Sequence, residues 1–198
     1  FKLLQLGSQN QPIKNLMQKA LPVMREIAQL CNHSVHLSIY YAGKLLVIGQ
    51  EDSPSPFNYS VTTGTTFDLL ETSSGRVLLS FQAEEERIRR LQRRKFYMKI
   101  QKGVSNRTND SLEKKFTSKT IHEIRKNKCE VVKSLQVNGV TNISAPVFDH
   151  TNYAIAAITI PYLQRINKSS KNDINLLKTT KLLKEYSVKL SQSLGYLN

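Results

Sequence analysis

The chain has little of what several functional classes require. Its 198 residues include two cysteines, Cys31 and Cys129, with no Cys-x-x-Cys between or around them. A disulfide framework or a zinc ribbon therefore does not fit, and a reducing cytoplasm is the simplest setting. No apolar run approaches the length of a membrane-spanning helix. Phe1-Lys2-Leu3-Leu4-Gln5-Leu6-Gly7 does not read as a signal peptide, since it has neither the apolar region nor the cleavage site. Glycine patterns of the Walker or Rossmann type are missing. Acidic residues are scarce: 15 Asp and Glu stand against 29 Lys and Arg, a formal net charge of +14.

What is present suits a globular protein with one sizeable core, with 39% hydrophobic and 22% charged residues. The positive charge is uneven. Between Arg87 and Lys128, 15 Lys and Arg face only Asp110, Glu113 and Glu123, so 15 minus 3 leaves a local excess of 12. A nucleic-acid-facing patch is one reading. Solvated helix faces are the simpler one. With only Phe96, Tyr97 and Phe116 interleaved, a stacking platform for single strands is poorly supported.

Ile13, Leu16, Met17, Ala20, Met24, Ile27, Ala28 and Cys31 share one helical face, so a helix is expected over 12–31, with Pro22 a kink or early break. Apolar, β-branched runs at 35–41 and 44–50 flank Ala42-Gly43, the pattern of a tight hairpin. Asp52-Ser53-Pro54-Ser55-Pro56 reads as a loop, and a third strand is expected from Phe57 to Thr63, ending at Gly64. Thr72-Ser73-Ser74 offers capping hydroxyls ahead of Val77-Leu78-Leu79, where a helix begins. A second helix over 83–95 opens on Glu84-Glu85-Glu86 and closes on basic residues, matching the helix dipole. Residues 99–111 read as an exposed loop and 117–127 as a short helix. Strands at 129–134, 140–148 and 153–160 and a helix over 173–194 complete the order. The expected fold class is α+β, with a mostly antiparallel six-stranded sheet flanked by helices.

The helix start at Thr72 is where these residues suggest a ligand. Free N–H groups and the positive dipole end attract a carboxylate or phosphate. Ser73 and Ser74 add neutral donors, and Gly75 permits close backbone approach. Simple N-capping accounts for the same residues without a ligand. Catalytic patterns are weaker. His33-x-x-His36 straddles a helix end and a strand, so its rings need not converge on a metal. Cys31 lies on the apolar helix face. Cys129 follows a basic helix end that could lower its pKa, yet has no His-Asp partner pattern. Glu84-Glu85-Glu86 is a solvated helix start. No enzymatic activity, metal or cofactor is expected.

Residues 143–149 read Ile-Ser-Ala-Pro-Val-Phe-Asp, and after the polar turn His150-Thr151-Asn152 comes Ala157-Ile158-Thr159-Ile160-Pro161. This hairpin returns small and hydroxyl-bearing side chains to a protected face. It resembles the C-terminal end of the effector-binding domain of the isocitrate-lyase-regulator (IclR) family of bacterial transcription factors. Leu21-Pro22-Val23-Met24 through Val35-His36-Leu37-Ser38, and Gly64 through Thr72-Ser73-Ser74-Gly75-Arg76, carry the same resemblance in the same order, covering residues 12–195. It implies a GAF-like or profilin-like effector-binding domain over 12–198. Residues 1–11 would be the stub of a connection to a winged helix-turn-helix domain absent from this chain. Also implied are a cytoplasmic homodimer or homotetramer, a small-molecule effector, and operator DNA read only through the absent domain.

Carried over position by position, the resemblance puts Phe67, Ser73, Ser74, Asn142 and Thr159 at the effector. We expect a small organic acid whose carboxylate meets the helix start and whose apolar body meets Phe67 and Leu70. The chain departs from the family where Phe67-Asp68-Leu69-Leu70-Glu71 replaces a Leu-Pro-Leu-His-like stretch. It departs again at Val132, Leu135 and Asn142, so effector identity is not carried over. A stand-alone small-molecule-binding protein or enzyme on a related sensor-like fold is the other reading, and upstream gene sequence separates the two.

Overall fold

A buried stripe of Leu16, Ala20, Met24, Ile27, Ala28 and Cys31 forms the inner face of α1 (Gln11–Cys31), which continues through Pro22 without a break. The computed structural model describes residues 11–56, 58–100, 106–164 and 174–197. After α1, strands β1 (Val35–Tyr41) and β2 (Lys44–Glu51) pair antiparallel. Ala42 and Gly43 both have positive φ, the backbone of a two-residue turn that matches strand twist. Then follow β3 (Thr66–Phe67), α2 (Ser73–Ser80), α3 (Glu84–Ile100), α4 (Asn106–Lys115) and α5 (Ser118–Asn127). Strands β4 (Glu130–Lys133), β5 (Val140–Phe148) and β6 (Ala154–Leu163) and helix α6 (Leu176–Ser193) complete the described chain.

The six strands form one sheet in the order β3-β2-β1-β6-β5-β4, with every neighbouring pair antiparallel. The expected α+β architecture is therefore the one found. Side chains alternate between its faces, as a strand period of two requires. Leu37, Ile143, Ala145, Ile158 and Ile160 pack with α1 and α6. Leu45, Phe148 and Ala157 face the other way, onto Leu69, Leu70 and the apolar side of α2. Two prolines sit where the ladder has only one neighbour. Pro161 pairs with Asn142 beyond the three-residue β1–β6 ladder, and Pro146 pairs with Ala157 beyond the last β4 partner, Ser144.

Several expectations need correction. The third strand is Thr66–Phe67, against Leu45 and Leu46, and residues 58–63 form no strand. Gly64, at φ +91°, donates its N–H to the Val47 carbonyl, so the chain joins β2 only after that turn. Tyr59 and Val61 are half-buried over the sheet instead of pairing with it. Residues 106–115, expected to be loop, form α4, which packs Leu112 on the second core and holds Glu113 against Arg94. Helix α3 continues to Ile100, since nothing after Lys95 breaks it. The last helix starts at Leu176, where the Asn175 side chain accepts the Lys178 N–H at 2.9 Å. Of the expected stub, residues 1–10 lie outside the described residues and Gln11 already belongs to α1. Phe57, residues 101–105 and Asp173 also lie outside them.

Candidate functional site

The first turn of α2 is pressed onto the middle of the sheet. Thr72 caps it with extended backbone, and its hydroxyl accepts the Gly75 N–H at 3.2 Å. The backbone N–H groups of Ser73 and Ser74 have no partner among the described residues, which is the ordinary state of a helix start. Their hydroxyls do have partners. Ser73 meets Ser144 at 2.7 Å, Ser144 meets Thr159 at 2.8 Å, and Thr159 meets Ser74 at 2.9 Å. All four residues are at most 2% exposed. In such a closed chain each hydroxyl can donate to one neighbour and accept from another, so buried polarity is satisfied without any charge.

Strand register extends this cluster into a polar row. Gln50 on β2, His36 on β1, Thr159 on β6, Ser144 on β5 and Glu130 on β4 are successive cross-strand partners. The row ends differently on its two sides. At one end Glu130 takes the Arg76 Nε–H at 2.9 and 3.0 Å, while Arg76 Nη1 donates to the Leu70 carbonyl at 2.6 Å. Burial still raises the Glu130 pKa, and Arg76 only partly opposes it. At the other end, His36 is 7% exposed and its ring makes no hydrogen bond among the described residues. Burial alone lowers its pKa to about 4. Beside it, Gln50 gives its amide N–H to Asp52 at 2.6 Å, and its side-chain oxygen is buried without a partner among the described residues.

A recess of about 30 Å³ lies between this row, the start of α2 and the 58–64 segment. Phe67, Ser73, Ser74, Asn142 and Thr159 line it, together with His36, Tyr59 and Val61. Two residues expected there are elsewhere. Leu70 is 1% exposed in the second core, because the turn at Asp68 points it inward. Gly75 is needed for packing: a β-carbon on it would stand 2.1 Å from the Leu69 carbonyl oxygen. Sequence reasoning missed His36 and Ser144 as members of this site. The available signal was strand alternation, which puts both opposite the apolar face of Leu37 and Ile143. Two larger grooves, each about 530 Å³, lie elsewhere. One flanks Gln164 and Asn175, and the other runs over Arg93, Phe96 and Ile100. Neither touches the hydroxyl cluster.

Other candidates resolve into structural roles. The His33 ring sits between the Cys31 and Leu163 carbonyls at 2.7 and 3.1 Å and stacks on Tyr162, so it does not converge with His36. The Cys129 thiol is pushed up by burial, with Lys184 opposing and Glu130 reinforcing the shift, so the basic helix end does not activate it. Part of the basic excess is internal as well. Arg94, 1% exposed, bonds Asp68 at 2.6 Å and Glu113 at 3.1 Å, and Arg125 caps α2 through the Ser80 and Gln82 carbonyls.

Known proteins share this arrangement of elements. The C-terminal domain of the E. coli transcriptional regulator KdgR is 21% identical, with a TM-score of 0.68 over 92% of this chain and 99% of that one. The Thermotoga maritima IclR is 23% identical, with a TM-score of 0.68 over 99% of this chain and 75% of its own. An IclR homologue from Microbacterium hydrocarbonoxydans, complexed with 4-hydroxybenzoate, is 16% identical, with a TM-score of 0.72 over 98% of this chain and 74% of its own. At these identities the likeness is one of fold. No curated protein matches the chain at a significant level. The model of the bacterial transcriptional regulator IclR C-terminal family matches residues 12–191, nearly the whole described chain, and the chain belongs to that family.

Proposed function

We propose that this domain senses a small organic acid and that the bound acid alters operator binding by a winged helix-turn-helix domain joined on its N-terminal side. The observation that carries this reading is the recess at the start of α2. Two N–H groups without partners among the described residues open there beside a neutral, buried row of hydroxyls. Such a place favours an anion through hydrogen bonds and the helix dipole. Phe67 supplies an apolar wall and Asn142 faces the acid from β5. Because Arg76 is taken by Glu130, no guanidinium is offered, and affinity in the micromolar range is expected. The Microbacterium homologue, which holds an aromatic acid in the same fold, supports the assignment.

At about 30 Å³ the recess has room for a water molecule and no more. An acid therefore enters only if Tyr59 and Val61 move outward with the 58–64 segment. That segment is tied to β2 by two backbone bonds, Gly64 N to Val47 O at 2.8 Å and Val47 N to Thr65 O at 3.0 Å. Its outward movement is the change we assign to effector binding. The domain also pairs with itself, as recognition of a two-fold operator requires. Light scattering that found only a 22.6 kDa monomer at high concentration in moderate salt would count against pairing. The test of sensing is calorimetric titration with a panel of small aromatic and aliphatic acids, using wild type, Thr159→Val and Asn142→Leu. A best acid that binds wild type at least about tenfold more tightly than either variant is expected. Equal affinity for all three proteins would remove the site from this recess.

A further inference from the structure

One polar side chain in the recess finds no partner in the fold. His36 is more than nine-tenths buried, lines the recess, and makes no hydrogen bond among the described residues. Its neighbours in the row, Thr159 and Ser144, are satisfied by each other and by α2. An incoming acid therefore meets a closed hydroxyl cluster on one side and an unbonded imidazole on the other. We propose that His36 is the specificity-determining residue of the site. It pairs with the carboxyl group of the effector, and one proton is taken up from solvent as the pair forms. This inference rests on the acid-sensing reading and adds a regulation to it: affinity for acids rises as pH falls.

The surroundings leave His36 as the group that can supply the charge. On β1 and β6 no charged side chain faces it. On β2, Gln50 separates it from Asp52 at the rim. From α2 come Ser73 and Ser74, while Arg76 points to Glu130. The 58–64 segment contributes Tyr59, the other titratable side chain lining the recess, and β5 contributes neutral Asn142. The imidazole is neutral in the free protein because burial disfavours its cation. A carboxylate within hydrogen-bond reach reverses that preference. Whether the proton settles on the ring nitrogen or the carboxyl oxygen, the balance is the same: acid anion, neutral His36 and one proton go in, and a neutral hydrogen-bonded pair results. Between the free and bound pKa values, affinity then changes by up to about tenfold per pH unit.

The experiment uses benzoate and propionate, with benzamide and propionamide as uncharged counterparts, on wild type and His36→Asn at about pH 6 and about pH 8. Calorimetry in two buffers of different ionisation enthalpy counts protons. Wild type is expected to bind an acid at least about tenfold more tightly at the lower pH, with about one proton taken up. His36→Asn should bind with no pH dependence. Binding of an acid by wild type at equal affinity at both values, with no proton uptake, would overturn the role of His36 and leave the sensor standing. Retention of the pH dependence in His36→Asn would do the same. If none of the four compounds binds, the sensor reading fails along with it. Should His36→Asn not fold, the proton count on wild type decides alone.

Discussion

Replacing Gly75 with alanine gives the sharpest test of how the site is built. The added β-carbon would lie 2.1 Å from the Leu69 carbonyl oxygen and 2.7 Å from both the Leu69 carbonyl carbon and Cα. Ordinary contact begins near 3.4 Å, so α2 must lift by more than an ångström from the turn beneath it. No flexible side chain can yield, since every crowded atom is backbone. Lifting α2 also opens the second core, where Leu69, Leu70, Val77, Leu78 and Leu79 are at most 1% exposed. Overpacking of this kind costs about 1–3 kcal/mol or somewhat more, and the better helix propensity of alanine returns up to about 1 kcal/mol. Because the clash is with immovable atoms, the net loss should be about 3 kcal/mol. For a domain of this size that is a fall in Tm of about 6–12 °C. Gly139→Ala is the control: φ there is +83° but a β-carbon meets nothing within 4 Å, so only backbone strain of about 1 kcal/mol is expected. Scanning calorimetry compares the two. A Gly75→Ala midpoint within about 2 °C of wild type, or a larger fall for Gly139→Ala, refutes the packing argument.

Acid should weaken the fold through His36. The native state holds this group near pKa 4 against an ordinary 6.5, so between those values the unfolded chain binds more protons. Its contribution is complete above the ordinary value and is lost as pH falls towards 4, by about 1.4 kcal/mol per unit and roughly 3 kcal/mol in all. Urea titrations at about pH 7 and about pH 5 should give a smaller difference for His36→Asn than for wild type, and equal differences contradict it. Arg94→Met strands Asp68 and Glu113 at the junction of α3, α4 and the turn before α2. A loss of about 2–4 kcal/mol is expected from chemical denaturation, and less than about 1 kcal/mol would mean the pair is dispensable. This chain should bind DNA without sequence preference, and any binding through residues 87–128 should vanish as salt rises. Discrimination between operator and scrambled duplex at physiological salt in a gel shift would defeat that.

Sequence periodicity carried most of the architecture because burial enforces it. The stripe from Leu16 to Cys31 and the alternation through β1, β5 and β6 are patterns that only one arrangement of elements satisfies. The misreadings fall where tertiary contact outweighs local preference. Tyr59 and Val61 look like strand residues, yet their apolar surface is covered by the recess and not by a neighbouring strand. Residues 106–115 are polar enough for a loop, and their helix depends on what Leu112 and Glu113 meet from α2, α3 and the turn at Asp68. Site residues divide in the same way. Capping chemistry at Thr72 is local, so Ser73 and Ser74 could be placed from sequence. The requirement for glycine at 75 was legible, but not that Leu69, and no ligand, makes the approach. His36 acquires its meaning only from register, which sets it beside Thr159.

That register has a kinetic side. His36 and Thr159 are 123 residues apart in the chain, taking 36 from 159, and β1 meets β6 over only three residue pairs. The two halves of the sheet, β3-β2-β1 and β6-β5-β4, are each built from short-range hairpins and can form early. The seam between them closes a long loop and belongs late in folding. Because the recess straddles that seam, it exists only once both halves have joined. Anything bound there holds the halves together while contributing nothing to the steps that precede their union. An effector should therefore lengthen the lifetime of the folded domain and leave its folding rate unchanged.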